Sequence, residues 1–197
     1  AAAAAAGTAP QDAAVDKFMD WAAGCGVEVS PKLRIASPVD SDDGRGRRVL
    51  CTAPLARGEL LVALPADIAA SVPMDADAPC PEPLARLQGW WSRHPRSTIR
   101  LGAAVALDRA RLAAYVDMLP SLDQIQAPWR WPDAELRFLT VQMAENARAR
   151  REALDAAWQD LAASGLSDAV PQDIFLRAHH AAASRAFSGE AAGGGGG

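Results

Sequence analysis

Lysine, tyrosine and asparagine are almost missing from this 197-residue chain. Lysine occurs only as Lys17 and Lys32, tyrosine only as Tyr115 and asparagine only as Asn146. Positive charge therefore rests almost wholly on arginine, which reads as compositional bias before it reads as function. Cysteine is scarce as well. Cys25, Cys51 and Cys80 stand 26 and 29 residues apart, with no C-x-x-C pair and no histidine close by. That spacing argues against a zinc site. An odd count also argues against a disulfide framework, so a reducing compartment is expected. No apolar run approaches the roughly 20 residues that span a bilayer. The start "AAAAAAGTAPQDAAV" has no basic region and no apolar core of a secretory signal, so the chain is expected not to be secreted. A net charge of -4 leaves no basic excess for nucleic acid to recognise.

What the chain has instead is alanine. Half of the residues are hydrophobic, and much of that half is alanine, which favours helix and buries little area. Residues 1–12 read as a disordered, low-complexity start and 189–197 as a Gly-rich tail. A chain that starts without Met and closes on five glycines reads as a piece of a longer product. "DKFMDWAAGCGVEV" places Phe18, Trp21 and Ala22 at helical spacing before Gly24 and Gly26, which predicts a helix over about 12–24. The period then changes. "LRIASPV", "RRVLCTAPL" and "LLVALP" read as three short strands across 33–65, separated by the acidic, Gly-rich "DSDDGRG" and by a turn at Arg57-Gly58. Three such strands expose too much edge to stand alone.

From about Pro83 the pattern is helical. Four helices are expected, on "EPLARLQGWWSRH", "STIRLGAAVALDRARLAAYVDML", "DAELRFLTVQMAENARARREALDAAWQDLAASG" and "PQDIFLRAHHAAASRAF". Ser97 and Asp133 are the expected caps of the second and third. Gly165 should end the third and Pro171 start the fourth. The connector "LPSLDQIQAPWRWPD" reads as ordered, because Trp129 and Trp131 are costly to leave in water. His179 and His180 are neighbours on a helix and point about 100° apart, so they do not readily share a metal. A packing or solvent role is expected for both. His94 reads as a loop residue, and Trp90, Trp91 and Trp158 as core or interface.

Four phrases, taken in order, resemble one family. They are "FMDWAAGCGVEV", "GRGRRVLCTAPLARGELLVALP", "YVDMLPSLDQIQAPWRWPDAELRFL" and "FLRAHHAAASRAF". Together, over about 14–188, the chain resembles SET-domain protein methyltransferases of the Rubisco large-subunit lysine methyltransferase type. The resemblance implies an α+β fold: a SET β unit at 33–65 and a helical insertion over 83–183, after which the core resumes. It implies S-adenosylmethionine as cofactor and the lysine side chain of a protein as substrate, with some relatives in this fold class acting on histidine. It implies a monomer without a membrane or nucleic-acid partner, in the cytoplasm or chloroplast. Arg45, Gly46 and Arg47 would lend main-chain contacts to the cofactor, and Arg185 would touch it. Ser184 would lie by the target-lysine channel, and Phe187 would be core. The pattern also departs here. In the register set by Gly58-Glu59 the family's second turn glycine falls on Arg48; the other register uses Gly44-x-Gly46. Gly189 stands where the family often has a basic residue.

The family's Asn-His pair and its channel tyrosines have no counterpart. Asn146 is followed by Ala147 deep in the helical block, and Tyr115 lies within the insertion. No catalytic residue is therefore assigned, and the chain is expected to be an incomplete piece that transfers no methyl group. The competing expectation is a non-catalytic helical interaction module derived from such a protein.

Overall fold

In the computed structural model, residues 12–36, 47–73, 75, 77–80 and 84–185 are described. Arg45, Gly46, Phe187, most of the 1–12 start and the 189–197 tail lie outside them. The side chain of Arg185 lies outside them as well. The chain divides into two units, residues 1–69 and 70–197.

The first unit begins with helix α1, Ala13–Gly24. Asp12, placed by the sequence in the low-complexity start, is its N-cap. The Ala14 N–H donates to the Asp12 carboxylate at 3.1 Å, which satisfies one of the amides a helix start leaves open. Four strands follow rather than three: β1 (Glu28–Val29), β2 (Leu33–Ala36), β3 (Arg48–Cys51) and β4 (Val62–Ala63). They form two separate antiparallel pairs, β1 with β4 and β2 with β3. In the second pair Ile35 faces Val49 and Leu33 faces Cys51. β1 escapes the sequence reading because two residues are too short to show an alternation.

Little of this unit is buried. Val15, Ala22, Ala36 and Ile68 are, whereas Leu60, Val62 and Leu64 are 68, 50 and 57% exposed. Those three recur at period two, the spacing that puts side chains on one face of an extended chain.

The second unit is helical and holds the main core. Its helices are α2 (Gln88–Trp91), α3 (Ser97–Leu107), α4 (Ala113–Met118), α5 (Asp133–Leu136), α6 (Val141–Ala163) and α7 (Gln172–Arg185). Single 3-10 turns stand at Ala85–Leu87, Leu122–Gln124 and Pro128–Arg130. Two expected long helices are thus each broken in two, at 108–112 and 137–140. The caps differ too. The N-cap of α3 is Arg96, and Ser97 is its first helical residue. Asp133 opens only the short α5, whose N-cap is Pro132. The long helix starts eight residues later at Val141, where the N-cap Thr140 Oγ1 accepts from the Met143 N–H at 3.3 Å. Gly165 follows the end of α6 and Pro171 precedes α7, as the sequence implied.

Trp90, Trp91, Leu87, Ile99, Trp129, Leu154, Leu161, Val170 and Phe175 form the core. Burying this much aromatic and aliphatic surface drives the unit's folding. Trp90 Nε1 donates to the Ala157 carbonyl at 2.8 Å, so its indole is buried without losing that bond. Helices α3 and α7 pack backbone to backbone at Gly102. A Cβ there would lie 3.0 Å from the His179 backbone nitrogen and 3.1 Å from its Cα. The absent side chain is what lets the backbones come so near.

Arginine does much of the remaining work. Arg177 on α7 donates from Nε to the Pro120 carbonyl at 3.0 Å, and from Nη2 to Val116 and Leu119 at 2.9 and 3.0 Å. These carbonyls lie at and just past the C-terminal end of α4, where a helix leaves carbonyls open; Val116 also accepts from the Leu119 N–H at 3.1 Å. Arg151 on α6 donates to the carbonyls of Trp129 and Trp131 and pairs with Asp133 at 3.2 Å. Arg100, fully buried, donates to the carbonyls of Pro73 and Asp75, both at 2.8 Å, and lies over the Trp91 ring. Arg109 reaches the carbonyls of Ala169 and Asp168. A guanidinium can fork across two or three carbonyls, whereas an ammonium is a single point. The arginine bias therefore has a structural use that composition alone did not reveal.

Candidate functional site

The strand–turn–strand phrase centres on Ala56–Glu59. Gly58 takes φ +82°, a left-handed conformation that a side chain would strain. The Glu59 carboxylate accepts from the Ala56 N–H at 2.9 Å, and the Glu59 N–H donates back to the Ala56 carbonyl at 3.2 Å. Lys32 Nζ lies 2.7 Å from the same carboxylate. The Ala56 amide first, and Lys32 second, hold the Glu59 carboxyl below its ordinary range. Gly-Glu is thus the pair this turn requires: the glycine makes the bend and the glutamate closes it.

Arg47 lies just before β3. Its Nε donates to Asp12 at 3.1 Å, joining the start of β3 to the cap of α1. Burial pushes the Asp12 carboxyl up, but the Arg47 hydrogen bond, the Ala14 amide and the Arg47 charge outweigh it and hold the group low. The guanidinium is therefore committed within the unit, and only the backbone of Arg47 is left to meet a ligand. No sequence signal links two residues 35 positions apart, so this pair was not foreseen.

Ser184 and Arg185 close α7 in the second unit. The Ser184 hydroxyl donates back to the carbonyls of His180 at 2.9 Å and Ala181 at 3.2 Å. Its proton stays within the helix, and its oxygen lone pairs remain on an exposed surface. Arg47 therefore belongs to one unit, Ser184 and Arg185 to the other.

One turn before Ser184, His179 is 2% exposed, and neither ring nitrogen has a hydrogen-bond partner. The Trp129 ring stands edge-on to it at 6.2 Å. Burial, first, pushes the imidazole down to about 4; the nearby Thr98 carbonyl, outside hydrogen-bond geometry, pulls the other way, and Arg150, His180 and Arg96 add to the drop. A packing or solvent role was expected of this residue; the ring is packed and neutral. His94, expected as a loop residue, is tied down: its Nε2 lies 3.0 Å from Asp160, which Arg93 also grips at 2.9 and 3.0 Å. Arg93 first, and then His94, keep the Asp160 carboxyl low against its burial. This trio fixes the 92–94 turn onto α6. It went unseen because its members are 66 and 67 residues apart.

None of the three cysteines forms a disulfide; Cys80 is buried, its thiol donating to the Leu84 carbonyl at 3.0 Å, and Cys51 is exposed. Among the described residues no group of histidine, cysteine and carboxylate side chains could hold a metal ion, and no helix is long and apolar enough to cross a membrane. An open cleft of about 500 Å³ lies at the Trp-Pro connector and contains none of the residues expected at a cofactor site. Comparison of the chain with protein-family models, with curated proteins and with solved structures gives no match.

Proposed function

We propose that this chain is part of an S-adenosylmethionine-dependent protein-lysine methyltransferase of the SET type. In this reading it carries cofactor-side elements and the helical insertion, but not the groups that perform the transfer. The observation that supports it most is the Ala56–Glu59 turn. Gly58 and Glu59 are the residues that the family resemblance singles out there, and both have a local structural reason to be present. The exposed strip of Leu60, Val62 and Leu64 is a second support, since such a face belongs against further structure.

The fit to the cofactor is partial. Arg45 and Gly46 lie outside the described residues, and the Arg47 guanidinium is held by Asp12. Arg185 stands at the last turn of α7, where a cation complements the negative end of the helix. Methyl transfer requires a sulfonium and a neutral amine held in line and away from water. Tyr115, the one tyrosine, lies on α4, and Asn146 lies on α6 with Ala147 after it. No channel tyrosine and no Asn-His pair exists among the 197 residues, so the chain on this reading binds cofactor without turning it over.

Equilibrium dialysis with radiolabelled S-adenosylmethionine tests this. Saturable binding is expected, weakened about tenfold by Arg185→Ala through loss of a charge-assisted contact. No label should reach a lysine-containing protein mixture. Absence of binding up to about 1 mM would overturn the cofactor reading. Label transfer would overturn the claim that the chain is inactive.

A further inference from the structure

Both ring nitrogens of His179 are buried without a hydrogen-bond partner, although a buried imidazole ordinarily keeps at least one bond. The residue is 2% exposed. Its backbone packs on Gly102 of α3, and beside its ring, outside hydrogen-bond geometry, is the carbonyl of Thr98, one turn nearer the start of the same helix. The ring is thus aimed at the first turn of α3. The Trp129 ring stands edge-on to it at 6.2 Å.

That end of α3 is open in a matching way. The Ile99 and Arg100 N–H groups donate to the Arg96 carbonyl at 3.0 and 3.2 Å. The N–H groups of Ser97 and Thr98 come before them and have no acceptor among the described residues, and no side chain caps the helix. The N-cap is Arg96, a cation at the positive end of an 11-residue helix, where an anion belongs.

Other cations meet at the same ring. The groups that act on His179 by charge are Arg96 before α3, Arg150 on α6 and His180 on α7, and all of them oppose a positive charge. Arg96 and Arg150 form no ion pair among the described residues. Neither do Arg57 and Arg86, so lack of a partner is not what marks the two. What marks them is that both bear on one buried, unbonded imidazole. Asp160, at the 92–94 turn, is already taken by Arg93 and His94. Arg96 and Arg150 are exposed, so their side chains can part to admit a small ion. Helix amides, guanidinium forks and an imidazole N–H are donors suited to a tetrahedral oxyanion.

We propose that the start of α3, Arg96, Arg150 and the ring of His179 form a site for a phosphate group, as the free ion or as a phosphomonoester. The Ser97 and Thr98 amides and the two guanidinium groups hold the oxygens from outside, and a His179 N–H donates from beneath. The assignment stands independently of cofactor binding.

Sodium phosphate is titrated into the full chain in chloride at constant ionic strength, followed by the ring nitrogen resonances of its three histidines. Saturable movement of the His179 resonances, with half-saturation below about 10 mM, is expected, and those of His94 should stay still. Glycerol 3-phosphate binding more tightly than inorganic phosphate would assign the site to a phosphomonoester, and the reverse order to the free ion. Arg96→Gln with Arg150→Gln, both on the surface, should weaken binding about tenfold while leaving the urea midpoint in chloride unchanged. His179→Phe keeps a ring without nitrogens, and phosphate should raise its thermal midpoint less than the parent's. No movement of His179 up to about 50 mM phosphate would overturn the proposal. So would an equal response to acetate, binding that the two arginine changes leave intact, or an undiminished midpoint rise in His179→Phe.

Discussion

Acid should loosen the helical unit through one residue, His179. Its ring sits between α7 and α3, 2% exposed, with no hydrogen-bond partner on either nitrogen. The charged groups acting on it are Arg96 at the start of α3, Arg150 on α6 and His180 beside it on α7, all unfavourable to a second positive charge. Its folded value is about 4, against 6.5 for the unfolded chain. The folded value is the lower one, so the unfolded state takes up a proton that the folded state refuses. Nothing is lost above pH 6.5. Stability falls as pH drops from 6.5 towards 4 and levels off below that. At about 1.36 kcal/mol per pH unit, the full loss is about 3 kcal/mol. Five of the six tryptophans, all but Trp21, lie in the helical unit, so indole fluorescence in urea reports on it directly. The comparison is His179→Leu, which removes the titration and the two unbonded nitrogens together. At pH 7 the variant should match or exceed the parent. At pH 4 the parent should have lost about 3 kcal/mol more than the variant, because every other titrating group is common to both. Parallel pH profiles for the two proteins would refute the reasoning.

Gly102→Ala should lower the stability of the helical unit by about 1–2 kcal/mol. The new methyl meets the His179 backbone, which cannot swing aside, and this exceeds the gain in helix propensity of about 1 kcal/mol; a rise in the urea midpoint would contradict the close approach. Thr140→Ala should cost about 1 kcal/mol as a lost cap, whereas Ser97→Ala should stay within about 0.5 kcal/mol, since the hydroxyl of Ser97 caps nothing. The reverse order in thermal melts would restore the sequence-based caps. Arg177→Met should lower stability by about 2 kcal/mol by stranding the carbonyls of Leu119 and Pro120, and Arg177→Lys should recover only part of it. Full recovery by lysine in the same denaturation assay would show that charge, not the fork, is what matters.

The elements that were legible in the sequence are those governed by neighbours in the chain. Helix α1 ends where Gly24 and Gly26 said it should, and Gly165 and Pro171 bracket the α6–α7 junction. The breaks at 108–112 and 137–140 were not legible, because apolar spacing runs on through both and the forces that break the helix come from elsewhere. Arg151, 18 positions from Asp133, holds α5 by the Asp133 carboxylate and the connector by the Trp129 and Trp131 carbonyls, so the chain turns before it enters α6. At the candidate site the same limit applies. The turn at Arg57-Gly58 is local and was read correctly; the pairing of Arg47 with Asp12, which decides what Arg47 can offer a ligand, is not local.

Helix α7 shows how these distant contacts bear on function. Its N-terminal half is fixed by Phe175 in the core and by Arg177 gripping the end of α4. Its middle is pressed against α3 at Gly102, with His179 sealed beneath. Past Ala182 the helix is exposed at Ala183 and Ser184, and Arg185 ends it. On the proposed reading, the residue that would meet the cofactor is carried on a helix whose earlier turns are packed in place. The groups that immobilise it are an arginine fork, a missing side chain and a neutral histidine. Each is sensitive to a different perturbation, so loss of ligand binding on weakening any of the three would mark α7 as the element that delivers Arg185. Equal binding in Gly102→Ala, Arg177→Met and the parent would instead place the binding site off this helix.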